Sequence, residues 1–220
     1  MSPGRAGRHI ELPADGGSLR AYRAGPPAGH GPGVLVVPGA RLEDAIADAC
    51  DRLAREGFVA LAPDPWPAPG GEGEAPDAAA AGLRLDAAVA ALVGDPGVDG
   101  ARIGSLGFGP GGALALRAAS RSPRLGAVVE VDGGLGALPL DAAKIEARVL
   151  AIFGEREAGA DAERRELERA LGAAGVRALV RVIPGVAAGF MHPSRPDRHD
   201  AGAAAGTWEM LLSFLRAELA

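Results

Sequence analysis

The stretch Gly107-Phe108-Gly109-Pro110-Gly111-Gly112 sits between an apolar strand-like run at 101–106 and a helix-like run at 113–120. A sharp strand–turn–helix lifts its tip residue above a sheet, and in many hydrolytic enzymes that residue is the nucleophile. The third residue of this stretch, Gly109, has no side chain to attack a carbonyl. Pro110 follows and has no N–H to give, so one donor of the oxyanion hole that such a turn supplies is missing. The amides of Gly111 and Gly112 still open a helix, whose N-terminus favours an anion or carbonyl oxygen. Packing of the turn explains the same glycines equally well.

Other candidate residues carry less. Ser105 stands in Ile-Gly-Ser-Leu-Gly, where Ile103 fills the first small position of the G-x-S-x-G pattern, so it reads as a strand serine. His192 can turn toward a pocket mouth or simply cap a loop. His9, His30 and His199 fall in terminal or surface segments and carry no signal. The single cysteine, Cys50, lies within the helical pattern at 44–57 and reads as a small buried residue, with no partner for a disulfide. No His, Asp or Glu grouping has metal-ligand spacing, so neither a metal nor any other cofactor is expected.

The elements that must position these residues alternate. Segments 9–12 and 19–23 read as an antiparallel pair joined through Asp15-Gly16-Gly17. Strands follow at 33–37, 58–61, 101–106, 125–131, 148–153 and 178–183. Helices are expected at 43–56, from Asp77 to about 93, at 113–120, 161–174 and 201–219. Residues 65–77 form a Pro- and Gly-rich loop, long enough to suspect function. Strand–helix alternation implies right-handed crossovers and a mostly parallel sheet in one α/β domain spanning 1–220. Ligand sites in such sheets lie beyond the carboxyl ends of the strands. That map gathers Pro38, Gly39, Arg41, Trp66, Phe108, Pro110, Asp132, Glu157 and His192 around Gly109. Arg41 can pair with a carboxylate or remain solvated, and Asp132 can line a polar pocket or cap the next segment.

Five segments in this order, ADGGSLRAY, DRLAREGFVALAPD, IGSLGFGPGG, AIFGERE and PGVAAGFMHP, resemble the dienelactone hydrolase family of α/β-hydrolases along nearly the whole chain. The resemblance implies an α/β-hydrolase fold and cleavage of enol lactones or related esters. It implies a nucleophilic Cys in G-x-C-x-G-G, a His in G-A-G-H-G-F-M, an Asp in G-x-x-D, and a Glu in an H-E pair. At the matching positions stand Gly109, Ala188, Glu157, and Val37-Pro38 or Pro38-Gly39. Asp132 falls where the family usually has an aromatic residue. Three of the four polar functions are thus absent from their slots.

Bulk properties narrow the rest. A net charge of −5 argues against nucleic acid as a partner, and Arg164-Arg165, the most compact basic pair, reads as a solvated helix face. No apolar run approaches the ~20 residues of a membrane span, and residues 1–12 lack the core of a secretory signal. A cytoplasmic protein is expected, monomeric or a small homo-oligomer, with a small molecule as ligand or substrate. The favoured role is a non-hydrolytic pseudoenzyme or repurposed pocket that binds, isomerises or cyclises. The alternative is a hydrolase with a relocated constellation of Ser105, His192 and Glu157.

Overall fold

In a computed structural model of the chain, residues 6–14, 17–66, 78–136, 140–156 and 159–219 are described. Asp15 and Gly16 of the first turn, most of the Pro-rich loop with Asp77, and Glu157 lie outside them.

Among the described residues, eight strands form one sheet in the order β1-β2-β4-β3-β5-β6-β7-β8. Strands β1 (Gly7–Ala14) and β2 (Gly17–Ala24) pair antiparallel, and β2 meets β4 (Val59–Pro63) antiparallel. From β4 onward all pairings are parallel, through β3 (Gly31–Val37), β5 (Val98–Phe108), β6 (Leu125–Val131), β7 (Arg148–Gly154) and β8 (Ala178–Ile183). The central strands are rich in Val, Ile and Leu because both their faces are covered, which suits β-branched side chains. Helices α2 (Ala78–Val93), α3 (Pro110–Arg121) and α4 (Ala160–Ala173) cover one face. Helices α1 (Asp44–Arg55) and α5 (Ala201–Leu219) cover the other. A 3-10 turn, Ala142–Lys144, precedes β7.

Helix ends follow from local chemistry. At the end of α1 the Gly57 amide donates to Ala54 and the Phe58 amide to Leu53, with Gly57 at φ 97°. That bond pair closes the helix through a left-handed residue, a role glycine fills without a Cβ penalty. The end of α4 repeats it, with Val176 donating to Leu171 and Gly175 at φ 71°.

Two expectations need correction here. Strand β5 runs on through Phe108, and α3 starts at Pro110 rather than at residue 113. Proline at a first helical position has its φ already set and loses no hydrogen bond, so Pro-Gly-Gly opens the helix instead of forming a loop. Cys50 is buried in α1 as expected, and burial pushes its thiol pKa up.

Candidate functional site

At the crossing of β3, β5 and α3, backbones approach closely. Gly109 has φ 51° and ψ −131° and stands as the N-cap of α3. Its amide donates to Val131 at 2.8 Å, pinning the turn to the end of β6. A Cβ on Gly111 would lie 2.3 Å from the Val37 carbonyl oxygen, and one on Gly107 would lie 2.3 Å from that of Gly111. These glycines permit backbone to touch backbone. Gly109 differs: a Cβ there meets nothing within 4 Å, because it points into open space above the sheet.

That space is a cavity of about 610 Å³, within the range typical of small-molecule sites. Pro38, Gly39, Arg41, Phe108, Gly109, Pro110, Asp132, Ala188 and His192 all line it. The strand-end map therefore gathers most of the expected residues. Trp66 is a correction: it does not line the cavity, because its indole Nε1 turns to donate to the Pro38 carbonyl at 3.4 Å. Ser105 is the strand serine that its position in Ile-Gly-Ser-Leu-Gly suggested, which leaves the alternative constellation without it. It is fully buried inside β5, beside Leu35 and Val128, and does not reach the cavity. Glu157 is among the residues not described.

Asp132 is the only described non-glycine residue with positive φ, at 54°. Strain of this kind persists only where surrounding bonds hold it. The Gly154 amide donates to one carboxylate oxygen at 2.8 Å and the Gly189 amide to the other at 3.0 Å. One side chain thus ties the ends of β6 and β7 to the loop that carries Ala188. No helix follows it directly, so it is not the N-cap that its position suggested.

His192 places Nε2 3.6 Å from Glu43, at the start of α1, and its Nδ1 is buried without a partner. Arg41 is half exposed and lies 3.8 Å from the buried Asp64. His199 lines the cavity too, contrary to its dismissal from sequence, and its Nδ1 meets the Phe190 carbonyl at 2.9 Å. Arg198 donates to the Ala188 carbonyl at 3.0 Å. Among the described residues no group of three or more His, Cys, Asp or Glu could hold a metal ion.

Glu130 is the residue that sequence reasoning passed over. It alternates away from the cavity, beneath the start of α3, and is fully buried in an otherwise apolar strand. Burial pushes its pKa up to about 8, with Asp132 and Glu163 adding to the rise and the Gly133 and Gly134 amides opposing it. One carboxyl oxygen accepts the Gly133 amide at 2.7 Å; the other has no partner. The available signal was a lone Glu inside Leu-Gly-Ala-Val-Val-Glu-Val, since buried carboxyls are rare unless paired.

No described helix is long and apolar enough to cross a membrane. Residues 19–219 match the sequence profile of the Dienelactone hydrolase family. A protein of Methylorubrum extorquens, provisionally named carboxymethylenebutenolidase, is 32% identical over 233 residues, covering 94% of this chain and 79% of the relative. Protein usf of Aquifex pyrophilus is 29% identical, covering 96% and 98%. A crystal structure from Klebsiella pneumoniae, provisionally called a dienelactone hydrolase, superposes with a TM-score of 0.84 at 25% identity, covering 96% of this chain and 98% of that one. With a profile matched from β2 to the end of α5 on an α/β-hydrolase sheet, this chain belongs to the dienelactone hydrolase family.

Proposed function

We propose that this family member is a non-hydrolytic pseudoenzyme. Its cavity takes a small molecule and binds it, or steers an isomerisation or cyclisation, without forming an acyl-enzyme. The supporting observation is the elbow itself. The cavity opens directly above Gly109, where a nucleophile would stand, and the residue there has no side chain. Pro110 offers no N–H to an oxyanion, and Ala188 lines the cavity where the family's histidine would take up a proton. The role requires no cofactor, nucleic acid or membrane partner, and suits a cytoplasmic monomer or small homo-oligomer.

For the relocated hydrolase, Ser105 is sealed within the sheet, which leaves water as its nucleophile. What remains for it is His192 beside Glu43 on the cavity wall.

The test is esterase activity. Purified protein with p-nitrophenyl acetate or a dienelactone is expected to show no turnover above buffer. The triple variant Gly109→Cys, Pro110→Ala, Ala188→His restores a nucleophile, an amide donor and a base, and is expected to produce measurable acylation. Turnover by the unaltered protein that His192→Ala abolishes would overturn the reading.

A further inference from the structure

The cavity does not end at the elbow; it continues down one face of the sheet between α1 and α5. On α1 its wall is Ile46, Ala49 and Arg52, and on α5 it is Ala201, Ala204 and Trp208. Each stripe repeats every three or four residues, as one face of a helix must. At about 1.5 Å per residue, these stripes reach on the order of 10 Å from the mouth. Alanines along α5 make the slot apolar.

Its far end, away from the elbow, is polar, and Arg52 is exposed there. The guanidinium carbon of Arg52 lies 4.1 Å from the centre of the Trp208 ring. Stacking of this kind fixes the plane of the guanidinium and leaves its N–H edge available. Among the described residues, nothing accepts a hydrogen bond from it. Partial burial, then the nearby Arg55, lower its pKa from the ordinary arginine value, with Glu56 opposing. The guanidinium is still charged at any physiological pH. Glu56 itself is engaged by Arg216 of α5, which clasps the two helices just beyond the slot. Of the other arginines that line the cavity, Arg198 is engaged by the Ala188 carbonyl and Arg41 by Asp64, while Arg195 is exposed at the rim. Asp48, one turn above Arg52 on the same wall, disfavours an anion at its own level.

We propose that Arg52, stacked on Trp208, receives the head group of an amphipathic organic anion whose flat or linear apolar body lies in the slot between α1 and α5. The inference rests on the cavity being a ligand pocket, and adds to it the ligand's class and orientation. A bidentate guanidinium suits a carboxylate or sulfonate, and the alanine walls suit an aromatic or alkyl body.

Two fluorescent probes test it: anilinonaphthalene sulfonate, and phenylnaphthylamine, which has the same aromatic body without the charge. Titrated against the full chain, both are expected to bind, the sulfonate more tightly. Arg52→Gln should weaken the sulfonate about tenfold, the size of one charge-assisted hydrogen bond, and leave the neutral probe unchanged. Arg52→Lys, which keeps the charge without the planar fork, should recover part of the loss. Ala204→Phe, which fills the slot, should weaken both probes at least tenfold. The subsite is refuted if Arg52→Gln leaves the sulfonate unchanged or weakens both probes alike. It is also refuted if Arg195→Gln, at the rim, produces the selective loss instead. If neither probe binds the unaltered chain, the ligand-pocket reading fails along with it.

Discussion

Glu130→Gln is expected to flatten the pH dependence of stability between pH 5 and 9 and to make the protein more stable than the unaltered chain at the alkaline end. In the folded state the Glu130 carboxyl titrates at about 8, against an ordinary value of 4.5. The folded protein therefore holds a proton that the unfolded chain releases across that window. For a raised carboxyl pKa, the contribution is fully present below about 4.5 and is lost as pH rises through 8. At about 1.4 kcal/mol per unit, the loss is on the order of 5 kcal/mol at most. The positive end of α3 lies close by and reduces it. Glutamine keeps an acceptor for the Gly133 amide and cannot ionise. It brings one further buried N–H group, costing about 1 kcal/mol or more. Urea unfolding at pH 5, 7 and 9 measures the effect. Parallel curves for the two proteins would show that Glu130 is not held protonated.

Alanine substitutions along the elbow should divide sharply. Gly111→Ala forces a Cβ to 2.3 Å from the Val37 carbonyl oxygen and 2.6 Å from that of Pro38. Both are backbone atoms of the strand-end segment, so neither can swing aside. The expected cost is at least about 4 kcal/mol, enough to prevent soluble folding. Gly109→Ala meets no neighbour within 4 Å. It suffers only from its φ of 51°, a cost of roughly 1–3 kcal/mol. For a chain of this size that corresponds to a fall in Tm of only several degrees. Soluble yield and thermal melts decide it: a well-folded Gly111→Ala protein would mean that the turn relaxes as a unit. The same contrast bears on function. A nucleophile at position 109 would carry that strain permanently, and glycine relieves it.

Much of the sheet was legible because its strands are covered on both faces and so concentrate β-branched residues, as in Val-Leu-Val-Val of β3. Helix ends at Gly57 and Gly175 were legible because glycine tolerates the left-handed cap at the least cost. The start of α3 was not, because Pro-Gly-Gly is as much a turn signal as a helix opening. Trp66 went astray because strand-end position fixes where a backbone emerges and not which way an indole turns. Arg52 and Trp208 meet across 156 positions of chain, and nothing in either neighbourhood announces the other. His199 is close to the Phe190 carbonyl for the same reason: the loop between them folds back, and no periodicity encodes it.

The Asp132 carboxylate, bonded to an amide at the end of β7 and to one in the loop after β8, has a consequence for how the cavity can deform. Gly154 ends β7 and Gly189 lies in the loop after β8, yet they share one anchor on a third element. The floor of the cavity is thus a braced joint, while its far wall is two helices bridged by exposed side chains. A force applied from inside, by a ligand slightly too large, would be taken up where the structure is most compliant. That is the seam between α1 and α5, and the seam rather than the elbow sets the largest molecule that can enter.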